Sequence, residues 1–245
     1  MGNAYEERLG TDRMLPLIFK MSLPAVAAQL VNLLYNIVDR IYIGHIPGIG
    51  TDALAGIGVT SAVIILISSF SAIVGAGGSP LAAIALGQGN RERAGQILGN
   101  GFILLLIFTI LTSATTYLFM EPILLFTGAS ENTIGYATDY LSIYLLGTLF
   151  VELSVGLNTF INTQGRPTIA MYSVLIGAIL NIGLDPLFIF TFGMGVKGAA
   201  LATILSQACS AIWVISFLTS KKASLRLEYR YMKLHKGIIL SILAL

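Results

Sequence analysis

Residues 15–44 read L-P-L-I-F-K-M-S-L-P-A-V-A-A-Q-L-V-N-L-L-Y-N-I-V-D-R-I-Y-I-G. A helix needs about 20 residues to cross a ~30 Å hydrocarbon core, and this stretch is long enough. It is apolar apart from one stripe. Gln29, Asn32, Asn36 and Asp39 are spaced three, four and three, which at about 100° per residue confines them to an arc of roughly 80°. Leu30, Val31, Leu33, Leu34, Ile37 and Val38 cover the remaining surface. A polar face on a helix in lipid must look at other helices or at water, and a carboxylate there costs roughly 2.5–3.5 kcal/mol on insertion scales. The amides alone would serve to join helices. Asp39 exceeds that need and points to a substrate or ion pathway. Pro24, earlier in the stretch, removes a backbone donor and marks a bend point.

The rest of the chain reads the same way. Of its 245 residues 56% are hydrophobic and 11% charged, against about 25% charged in soluble domains. The expected fold class is all-α, a polytopic membrane helix bundle. Six spans are predicted, over 15–44, 53–78, 95–119, 133–157, 168–191 and 196–219. Residues 1–14 form a polar N-terminal segment, 15–219 the six-helix lobe, and 220–236 a basic linker. The linker is read as topology-setting charge, with an amphipathic helix on the anionic leaflet as the other reading. An apolar run over 237–245 is too short to cross and reads as the truncated start of a seventh helix. Gly75, Gly77, Gly78 and Pro80 follow span two, where they either break the helix or pack it closely. Cys209 is expected to be a small buried side chain.

Lysine and arginine placement sets orientation. With the N-terminus in the cytoplasm, eleven of these residues fall on the inner side and Lys197 alone on the outer side, while Lys20 and Arg40 lie within span one. The expected location is the cytoplasmic membrane of a prokaryote, with a cytoplasmic N-terminus. Arg40 either pairs with Asp39 or extends to the interface.

A second acid, Asp185, lies in span five one turn from Asn181 and directly before Pro186. Proline frees the carbonyl one turn earlier, at Ile182, and freed carbonyls beside a carboxylate can make an oxygen-rich cation site, with Asp185 and Asn181 as candidate Na⁺ ligands. Span four carries Tyr140, Tyr144, Thr148 and Glu152 at successive spacings of four, and span six carries Thr203, Ser206, Gln207 and Ser210. At 1.5 Å per residue, Asp39, Asp185, Tyr140 and Thr203 all lie ~8–10 Å below the outer edge. One pocket in the outer half of the bundle is therefore expected. Glu152 lies ~28 Å down its span, at an inner level suited to a substrate path or gate.

Four stretches, N-L-L-Y-N-I-V-D-R-I-Y-I-G at 32–44, L-G-Q-G-N-R-E-R-A at 86–94, N-T-F-I-N-T-Q-G-R-P at 158–167 and N-I-G-L-D-P-L-F-I-F at 181–190, taken in this order, resemble the multidrug and toxic compound extrusion (MATE) family in its branch of DinF- and MepA-like transporters. The resemblance covers essentially the whole chain and corresponds to the N-terminal half of a twelve-helix protein. It implies one six-helix lobe of two that form a V around a central cavity. It also implies export of cationic and amphipathic drugs across the membrane in exchange for H⁺ or Na⁺. By the resemblance, Asp39 matches the span-one acid of proton coupling. Asn181, Asp185, Tyr140 and Thr203 match the ion site of the N-lobe. Gln29, Asn32, Asn36, Thr148 and Glu152 are then candidates for the substrate path. No cofactor is expected beyond the coupling ion. The expected partners are small-molecule drugs, lipid, and a C-terminal lobe or a second copy, and not nucleic acid.

Three rival readings stay open, one of them a channel, for which no repeated filter-like loop is visible. A lipid-linked-sugar flippase of related architecture would line its cavity with several basic residues, and here Arg40 is the single candidate. The half-protein could instead be a non-transporting assembly partner. Enzymatic chemistry is not expected, since no nucleophile–base set or metal cluster is visible and His45 and His235 fall on opposite sides of the membrane.

Overall fold

In a computed structural model of the chain, residues 14–244 are described. The expected N-terminal segment therefore lies outside the described residues except for Met14. The helices are α1 (Met14–Gly44), α2 (Gly50–Gly87), α3 (Arg91–Leu118), the short α4 (Met120–Phe126), α5 (Ile134–Thr163), α6 (Pro167–Pro186), α7 (Val196–Thr219) and α8 (Lys236–Leu243). No strand occurs among the described residues. Six of the helices are long and apolar enough to cross a membrane, in agreement with the sequence reading.

Helix α5 lies at the centre and packs against α2, α3 and α7, whereas α1 packs mainly on α6. Small residues bring the central helices close. A Cβ added at Gly147 of α5 would collide with Ile204 of α7, and one at Gly78 of α2 would lie 2.8 Å from Phe160 of α5. In lipid there is little hydrophobic drive between helices, so such close contact supplies much of their association. Leu30, Leu33, Leu34 and Ile37 of α1 stay exposed, as expected for a helix on the outside of the bundle.

One sequence expectation, a buried Cys209, needs correction, and the structure decides between the readings left open for the glycines. Helix α2 does not break at Gly75–Pro80 but runs on to Gly87 with Pro80 inside it. These glycines serve close approach: Gly75 faces Thr159, and Gly77 leaves room for the backbone of Ile242 in α8. Cys209 is exposed rather than buried. Span five is not a uniform α-helix, because α6 ends at Pro186 and Leu187–Thr191 winds on as a π-helix. A proline that withholds its N–H is a natural place for that widening.

The linker does not form the amphipathic helix of its second reading. Its Ala223, Leu225 and Leu227 are buried at alternate positions, and its helical content is one short 3₁₀ turn at Tyr229–Tyr231. Side-chain amides of the bundle hold it down. The Leu225 N–H donates to Gln164 Oε1 at 3.0 Å. The buried Asn100 donates to the Lys233 carbonyl at 3.1 Å and accepts from the His235 N–H at 2.8 Å. Tyr231 closes the contact by lying over Gly95 and Gly99 of α3.

Candidate functional site

The polar stripe of α1 and the acid of α6 meet. The Asp39 and Asp185 carboxyls lie within hydrogen-bonding reach of each other. Two carboxylates at that separation repel, so a proton or another cation has to sit with the pair. Asp185 is fully buried and Asn181 nearly so. The Asn181 Nδ2 donates to Asp185 Oδ1 at 3.2 Å and reaches Thr203 Oγ1 on α7 at 3.4 Å. Thr203 is also within hydrogen-bonding reach of the Tyr140 hydroxyl on α5. Asp39, Tyr140, Asn181, Asp185 and Thr203 thus form one network contributed by four helices, and all but Asn181 are the residues that depth put at one level.

The acceptor side of the network is incomplete. Asp39 Oδ1, Asn181 Oδ1 and Asp185 Oδ2 are buried and have no hydrogen-bond partner. Buried oxygens without partners are costly, and these three, one from each carboxyl and one from the Asn181 amide, suit a bound proton or a small hard cation. The residues therefore fit a coupling ion, with Asp185 and Asn181 as its oxygen donors.

A cavity of about 250 Å³ adjoins the cluster. Its wall includes Asn36, Asp39 and Arg40 of α1, Ser61 of α2, Tyr140 and Tyr144 of α5, and Thr203 of α7. Tyr35 and Gln207 line it too and are within hydrogen-bonding reach of each other. Sequence reasoning did not single out Tyr35, although its spacing of four from Asp39 was a usable signal. Ser61, an isolated polar residue, gave none.

The other candidates for the substrate path lie elsewhere. Gln29 is exposed, and Asn32 accepts from Asn36 Nδ2 through both Oδ1, at 2.8 Å, and its carbonyl, at 2.7 Å; neither lines this cavity. Thr148 and Glu152 do not line this cavity either. They are buried because the lower half of the α5 ladder packs against a neighbour. Thr148 donates to the Tyr144 carbonyl at 3.0 Å, and Glu152 Oε1 accepts from Ser68 Oγ of α2 at 2.9 Å. Arg40 does not pair with Asp39; it reaches Ser61 Oγ at 3.4 Å. At the same end of the bundle, Asp139 and Lys197 form a half-exposed ion pair at 3.2 Å.

The MatE family model matches residues 24–187, a stretch that contains both acids of the cluster. The chain belongs to the MatE family. Among curated MatE-like relatives, "Multidrug export protein MepA" of Staphylococcus haemolyticus is 28% identical over 221 residues, covering 90% of this chain and 48% of that protein. A protein of Shewanella oneidensis described as "FAD transporter" is 34% identical over 194 residues, covering 77% and 42%. A solved structure described as MATE in the bent conformation superimposes with a TM-score of 0.84 at 28% identity, covering 93% of this chain and 50% of that one. The chain spans about half the length of the curated relatives it matches. Members of this family are transporters rather than enzymes, and the six apolar helices make this chain part of a multi-pass membrane protein.

Proposed function

We propose that the chain is one lobe of a cation-coupled antiporter that exports amphipathic and toxic compounds, cationic drugs among them, across the cytoplasmic membrane of a prokaryote. The observation that carries this reading is the contact between Asp39 and Asp185 with its unpartnered oxygens. Inward-moving H⁺ or Na⁺ neutralises the pair. Helix α1, which presents Asp39 to both the cluster and the cavity, then shifts on α6 and loses its hold on the substrate. Pro24 inside α1 is the place where such a shift bends the helix with the least loss of hydrogen bonding. Each charge that crosses is worth ~2.3 kcal/mol per 100 mV, enough to bias two conformations.

The positive-inside pattern supports a cytoplasmic N-terminus, and with that orientation the cluster belongs to the outer half. The exposed apolar and polar face of α1 is then the side available to a second lobe or a second copy. The MepA relative supports drugs as the cargo. The flippase reading is weaker, because Arg40 is the single cationic residue on the cavity wall.

Ethidium efflux by cells expressing the protein, with pH and Na⁺ gradients imposed separately, tests this. D39N and D185N should abolish efflux at unchanged protein level. Efflux that persists in both variants overturns the proposal.

A further inference from the structure

Glu152 of α5 takes no part in the Asp39–Asp185 cluster, yet it is only 2% exposed. Its Oε1 accepts from Ser68 Oγ of α2 at 2.9 Å, and its Oε2 is buried with no hydrogen-bond partner. Ser71 stands beside the carboxyl but gives its hydroxyl to the Ser68 carbonyl at 3.1 Å. One turn on in α5, Gly156 lets the helices close: a Cβ there would lie 2.8 Å from Leu105 of α3 and 3.3 Å from Ser71. On the other side, Tyr144 faces Glu152 and also lines the cavity, as does Val151. The elements packed on α5 bring no charge to this level. Asp52 of α2, Arg91, Glu92 and Arg93 of α3, Glu121 of α4 and Lys197 of α7 all stand in the first turn of their helices, and Asp185 of α6 belongs to the cluster. Tyr144 is the titratable side chain that faces Glu152. Among the described residues Glu152 has no salt bridge.

A carboxylate shut away from water and from cations is costly, and such a group takes up a proton instead. Oε2 is the atom left to carry it, while Oε1, as the carbonyl oxygen, keeps the bond from Ser68. We infer that Glu152 is a second proton-binding site of the lobe, separate from the Asp39–Asp185 pair and loaded from the cavity that Tyr144 lines. A role in joining α5 to α2 would need no more than an amide or a hydroxyl, since such groups bond across helices in lipid. The inference goes beyond the transporter reading, because the site binds its proton whether or not the lobe exports drugs. In an antiporter it adds a second titrating group to the cycle.

Infrared difference spectroscopy of the protein in lipid nanodiscs reads this site, because a protonated carboxyl has a C=O stretch distinct from those of amides and carboxylates. The D39N/D185N double variant removes the acids of the cluster. Its spectra, stepped from acid to alkaline pH, should keep a buried-carboxyl band that shifts in heavy water and is lost as pH rises. Adding E152Q should delete that band, in the double variant and in the wild type alike. Adding S68A should shift it, by removing the bond to Oε1. E152Q copies the shape of the neutral acid and keeps an acceptor for Ser68, so thermal unfolding should change little; S68A carries the test should E152Q not fold. Absence of the band, a band indifferent to both substitutions, or a band that persists at every pH overturns the inference. A band that vanishes when sodium is added at fixed pH makes the occupant a metal cation and overturns it too. Any of these results, with ethidium efflux still lost in D39N and D185N, overturns the inference and leaves the transporter reading intact.

Discussion

Asp39 of α1 and Asp185 of α6 face each other within hydrogen-bonding reach, and this contact joins the helix at the edge of the bundle to the buried cluster behind it. The first prediction concerns the pair itself. D39N supplies an amide donor to Asp185, so unfolding temperature in nanodiscs should change little. D39L removes the partner of a buried carboxyl and should cost about 1–3 kcal/mol. Equal stability of D39L and the wild type would show that the contact contributes nothing.

A second prediction tests the central packing. Gly147 has no room for a Cβ against Ile204, whereas Gly135, in the first turn of the same helix, faces open space. G147A should destabilise by about 1–3 kcal/mol through overpacking. G135A should be neutral or stabilising by up to about 1 kcal/mol, because alanine restricts the unfolded chain. Thermal unfolding of the two variants side by side reads the difference, and the reverse order would contradict the α5–α7 contact.

Asn100 gives a third. Its side chain both donates to Lys233 and accepts from His235, so N100A leaves two backbone groups of the linker unpaired. The expected loss is about 1–3 kcal/mol, with faster proteolysis after the basic residues between Lys221 and Lys233. Proteolysis at the wild-type rate would mean that the linker is held by its buried Ala223, Leu225 and Leu227 alone.

Much of this was legible in the sequence, for a physical reason. Bilayer thickness fixes span length, so the six spans follow from apolar runs. Depth along a span is a simple product of residue count and helical rise, so Asp39, Tyr140, Asp185 and Thr203 could be placed at one level before any fold was known. What depends on neighbours was harder to read. The ladder of Tyr140, Tyr144, Thr148 and Glu152 marks one face of α5, but nothing local says that its lower half is sealed, with Glu152 held by Ser68 of α2, while its upper half opens to a cavity. The same holds for Gly75–Pro80, which reads equally as a break or as close packing until Thr159 and Ile242 are seen to occupy the space. The alternation of Ala223, Leu225 and Leu227 is present in the sequence, but it is too short to compete with the basic charge around it.

The central claim is that the Asp39–Asp185–Asn181 cluster holds the coupling ion. Equilibrium binding of radiolabelled sodium to the protein in nanodiscs, with proton uptake followed in parallel, tests it directly. The wild type should bind one of the two cations in competition with the other, and the D39N/D185N double variant should bind neither. A double variant that binds as the wild type does, or a wild type that binds neither cation, would contradict the account.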